Sequence, residues 1–88
     1  EPLLDSLRHE AEADLQRHEA ASPPGLIEKR LVHIGIAWES ICKTAKDENV
    51  DLIVIGSHGY GGLDRLLGTT AAKVVNHADR NVLVVRPR

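Results

Sequence analysis

Apolar positions along this chain change their period several times, and each change marks an element. From residue 2 to about 20, Leu4, Leu7, Ala11, Leu15 and then His18 recur at three- and four-residue steps. Charged residues fill the opposite face, which is the pattern of an amphipathic helix. Pro2 stands where a first helical turn tolerates it, and Ser22, Pro23, Pro24 and Gly25 stop the helix. Residues 27–36 read as a strand with Gly35 near its end. Residues 38–48 return to helical spacing with Ile41, Ala45 and Cys42 inward, and Asn49 is the stop signal. Leu52, Ile53, Val54 and Ile55 then follow without alternation, which predicts a parallel strand, ending at Gly56, covered on both faces. A glycine-rich stretch over 57–68 leads into a helix from about Thr70 to Ala78. A last apolar run, Val82, Leu83, Val84 and Val85, is followed by Arg86, Pro87 and Arg88 as a polar stop.

Strands alternating with helices predict an α/β fold: a parallel sheet with flanking helices and right-handed crossovers. Eighty-eight residues allow one small domain, and 42% hydrophobic with 27% charged residues is ordinary globular composition. A net charge of −2, with the basic residues dispersed, lacks the basic footprint of a nucleic-acid binder. One Trp, one Tyr and no Phe also leave few platforms for stacking bases. No apolar run approaches the ~20 residues of a membrane span, and no charged leader precedes an apolar stretch. The expectation is therefore no membrane and no secretion. Cys42 has no internal partner for a disulfide, which fits a reducing cytoplasm. The chain has no Met and opens directly into helical sequence, as a fragment of a longer domain would.

The chemistry concentrates after residue 55. Ligands of parallel sheets bind beyond the carboxyl ends of the strands, and the glycine-rich loop lies at such an end. Gly56 and Gly59 let backbone amides approach an anion, and glycine also adopts φ values closed to other residues. Gly68 leads into Thr69 and Thr70 at a helix start, where unsatisfied amides and the helix dipole favour a phosphate. The two hydroxyls can cap that helix or donate to phosphate oxygens. The loop is neither a Walker A motif nor a Gly-x-Gly-x-x-Gly turn opening directly into a helix. A plain turn capped by threonine has the same composition.

The segments Asp51-Leu52-Ile53-Val54-Ile55-Gly56-Ser57-His58-Gly59, Leu66-Leu67-Gly68-Thr69-Thr70 and Asn81-Val82-Leu83-Val84-Val85-Arg86 resemble the C-terminal end of the universal stress protein family. Gly35-Ile36-Ala37-Trp38-Glu39-Ser40-Ile41 resembles that family's passage from third strand to third helix. The resemblance implies a universal stress protein-like, adenine nucleotide alpha hydrolase-like sheet. Residues 1–88 would be a partial domain, from the second helix to the last strand, lacking the first two strands and the acidic residue that ends the first. It implies a cofactor, ATP, with or without magnesium. Gly56, Gly59, Gly68 and Thr69 match the triphosphate motif; Ser57 and His58 lie within it, and Thr70 follows it. Eight residues separate Gly59 from Gly68, where the family pattern has nine. The resemblance also implies a homodimer paired through the last strand, Val82 to Val85.

Other residues read more plainly. His9, His18, His33, His58 and His77 keep no metal-ligand spacing with one another or with Cys42, so no metal site is expected. His77 is placed near a helix C-terminus, and Asp79 and Arg80 in a turn. Asp51 lies at the wrong end of its strand for catalysis, and Cys42 reads as a small core residue. Trp38 reads as packing, or as part of a dimer or ligand surface. Ser57 and His58 are adjacent and have no orienting acid, so no catalytic residue is assigned, and slow ATP hydrolysis is the most that is expected. The competing functions are an interaction module of the same fold and an accessory domain of a transporter or sensor kinase.

Overall fold

Each element of the computed structural model starts and stops for a local reason; it describes residues 1–56 and 69–86, with Thr69 described by its backbone alone. The chain divides into two compact units, Glu1–Ile34 and Gly35–Arg88.

The first unit is built on α1 (Pro2–Ala20). The Glu1 carboxylate caps it, accepting from the Leu3 amide at 3.0 Å and the Leu4 amide at 3.3 Å. At the far end the Ser22 hydroxyl donates to the His18 carbonyl at 2.8 Å, and Gly25 turns the chain with φ 80°. Arg30 reaches back to α1, its Nε 2.6 Å from Glu19 Oε1. No residue of α1 is fully buried, so its stripe of Leu4, Leu7 and Leu15 is open.

The second unit contains α2 (Ala37–Asp47), β1 (Leu52–Gly56), α3 (Thr69–His77) and β2 (Asn81–Val85). The two strands are parallel, with Leu52 opposite Asn81 and Gly56 opposite Val85. Asn49 ends α2 in the left-handed region with φ 51°. There the Val50 amide donates to the Ala45 carbonyl and the Asn49 amide to the Lys46 carbonyl, both at 3.1 Å, which is a Schellman closure. Ala45, Ile53 and Val74 form the core, with Trp38, Ile41, Cys42, Ile55, Ala78 and Val82 packed against it. Both helices thus cover one face of the strand pair, and Cys42 is a core residue as expected.

Two expectations are corrected. Residues 27–36 form no strand, because a strand requires a neighbour to pair its amides and carbonyls, and no described strand ladders with this segment. β1 is not covered on both faces: Ile53 is buried and Ile55 half-buried, whereas Leu52 and Val54 are exposed. Val82 and Val84 are likewise half-buried, with Leu83 and Val85 exposed. Among the described residues α2 and α3 supply a helical layer on one side only, so the strands alternate despite their continuous apolar sequence.

Candidate functional site

Parallel strands end at a common edge, where Gly56 stands opposite Val85. α3 ends at His77, shortly before β2 begins at Asn81; in a right-handed crossover between parallel strands the helix runs back against them, which would set its first turn on the side where β1 ends. Gly56 lies at the strand edge at which ligands of parallel α/β proteins bind.

Gly56 is exposed, and a methyl group added there would meet no atom within 4 Å among the described residues. Its backbone is not left-handed; the glycine with positive φ among the described residues is Gly25. Gly56 thus contributes the absence of a side chain rather than an unusual backbone angle. The first turn of α3 carries no acidic residue, so no carboxylate there opposes an anion drawn to its amides. Thr69 has helical backbone and Thr70 is half-buried in that turn. Ser57, His58, Gly59 and Gly68 lie outside the described residues, as does the Thr69 side chain. Gly56, at the end of β1, and Thr69 and Thr70, at the start of α3, are the predicted site residues that fall within the described elements.

A second polar cluster closes the opposite edge. Arg80 Nη1 donates to the carbonyls of Ala45 and Val50, both at 2.9 Å, while its Nε and Nη2 hold the Asp79 carboxylate at 2.8 and 3.2 Å. The hydrogen bond from Arg80 holds the Asp79 carboxyl below the usual carboxylate range, and the same bond raises the Arg80 guanidinium. Sequence reasoning placed both residues in a turn and missed this role. The signal was a cation beside an apolar strand, but its acceptors lie thirty residues and more upstream.

Among the described residues, no group of three or more His, Cys, Asp or Glu could hold a metal ion, and no helix is long and apolar enough to cross a membrane.

Comparison with known proteins agrees with this architecture. The family model described as "Universal stress protein family" matches residues 1–86. Universal stress protein G of Shigella flexneri is 35% identical over 85 residues, covering 93% of this chain and 58% of the relative. Universal stress protein A homolog 2 of Coxiella burnetii is 40% identical over 76 residues, covering 85% and 52%. Universal stress protein MJ0577 of Methanocaldococcus jannaschii is 42% identical over 59 residues, covering 66% and 36%. The solved structure of hypothetical protein MJ0577 matches with a TM-score of 0.87 at 32% identity, over 99% of this chain and 62% of that one. The chain thus spans between about a third and three fifths of the length of these relatives. From the motif, the parallel strand pair and these matches together, the chain belongs to the universal stress protein family.

Proposed function

We propose that this chain carries the phosphate-binding part of an adenine-nucleotide site in a stress-response protein that acts through binding and dimerisation. What supports the reading is a glycine, Gly56, at the end of a parallel strand, followed in the next described element by a helix whose first turn carries no acidic residue. That edge suits a phosphate: the space beside Gly56 is open, and the first-turn amides of a following helix would meet the anion. The amides of Gly56, Gly59 and Gly68 and the Thr69 hydroxyl would hold the triphosphate of ATP, with or without magnesium. Ser57, His58 and Thr70 would line it. Bound ATP would supply a concentrated negative charge, which the first-turn amides of α3 offset. No side chain is assigned as a general base, so hydrolysis is at most slow. The homodimer would pair through β2, where Leu83 and Val85 are exposed, and a cytoplasmic setting suits the unpaired Cys42.

The shortened spacing between Gly59 and Gly68 favours a second reading, an interaction module that has lost the nucleotide. Isothermal titration with magnesium-ATP separates the two. The nucleotide reading expects binding that Gly59→Val weakens at least about tenfold. Absence of heat from a chain that sediments as a folded dimer would select the interaction module.

A further inference from the structure

Trp38, at the start of α2, and His77, at the end of α3, meet with ring centroids 4.4 Å apart and planes inclined by 36°. His77 Nδ1 lies 2.8 Å from the Lys73 carbonyl oxygen. A carbonyl only accepts, so Nδ1 carries the hydrogen, and the ring takes up a proton at Nε2. That proton leaves the Nδ1 hydrogen bond in place. Protonation therefore converts a neutral neighbour of the indole into a cation without requiring the ring to move.

The same indole already has a cation, since Lys73 Nζ lies 5.9 Å from its centroid. We propose that Trp38 is a platform for which two cations compete, and that protonation of His77 displaces Lys73 from it. A positive charge on the ring beside the indole repels the Lys73 ammonium. His77 is pinned by its backbone hydrogen bond, whereas Lys73 is an exposed, flexible side chain, so Lys73 is the one that yields. The packed elements carry these other charges. On α2, Glu39 adjoins Trp38, Lys43 pairs with Asp47 at 2.5 Å, and Lys46 acts on Asp79. β2 has no charged residue, and Asp79 and Arg80 just before it hold each other. The exchange is thus a proton-operated switch on the α2–α3 surface. It stands independently of any nucleotide at the other end of α3.

Trp38 is the sole tryptophan of the chain, which makes the switch directly readable. Lowering the pH from about 8 to 5, the range in which imidazoles gain charge, should reduce Trp38 emission. In NMR spectra the upfield ring-current shift of the Lys73 side-chain protons should be lost over the same interval. His77→Phe keeps an aromatic ring beside Trp38 but no titrating nitrogen, and should show neither change while retaining its circular dichroism. His77→Gln serves as the second variant with the same expectation. Emission that stays constant in the unmodified chain overturns the proposal. So does a Lys73 shift that does not move, or a response that persists in both variants.

Discussion

Arg80 Nη1 lies 2.9 Å from the carbonyl oxygen of Ala45, thirty-five residues earlier in the chain. That carbonyl also accepts the Val50 amide that closes α2, so one guanidinium seals a helix end and the start of the next strand together. The Asp79 carboxylate holds the rest of the fork, which orients the Nη1 donor toward the two carbonyls.

Replacing Arg80 with Ala removes donors from two carbonyls and leaves Asp79 without its partner. The urea midpoint should fall with little change in slope. Arg80→Lys should recover only part of the loss, since an ammonium lacks the planar fork that serves carbonyls and carboxylate at once.

Acid should weaken the same cluster. Because Arg80 depresses the Asp79 carboxyl in the folded chain, its contribution is complete above the unfolded carboxylate value of about 3.9. The contribution is lost as the pH falls through the lower, folded value. Urea midpoints compared at pH 5 and below pH 3 should show a steeper loss in the unmodified chain than in Asp79→Asn.

Val74 is fully buried against Ala45 and Ile53. Val74→Ala removes two methyl groups and leaves a small void, at a cost of about 2 kcal/mol by chemical denaturation. Val75→Ala, one position on and 45% exposed, should shift the same measurement far less.

Asn49 turns the chain with φ 51°, where a β-branched residue is strained. Asn49→Val should cost about 1–2 kcal/mol, whereas Asn49→Gly should match or slightly exceed the original stability. Thermal melts of both variants, read by circular dichroism, check the sign and the order.

Much of the fold was legible because local patterns carried it. The helical spacing of Ile41, Cys42 and Ala45, the Asn49 stop, and the apolar runs at Leu52 and Val82 all correspond to observed elements. The strand expected over 27–36 failed because hydrophobicity describes a segment while a strand is a relation between two. The candidate site was legible as a motif, and its described members fall at the end of β1 (Gly56) and the start of α3 (Thr69 and Thr70).

The sequence by itself determined where the helices and the two paired strands begin, that the pair is parallel, and which family motif follows β1. Those properties depend on period, caps and glycines, each readable within a few residues. Only the tertiary structure decided that Leu52 and Val54 stay open while Ile53 is buried, that Arg80 reaches Ala45 and Val50, and that Trp38 meets His77. Each of these joins residues far apart in the chain, and the identity of one partner does not specify the other until packing sets the distance between them.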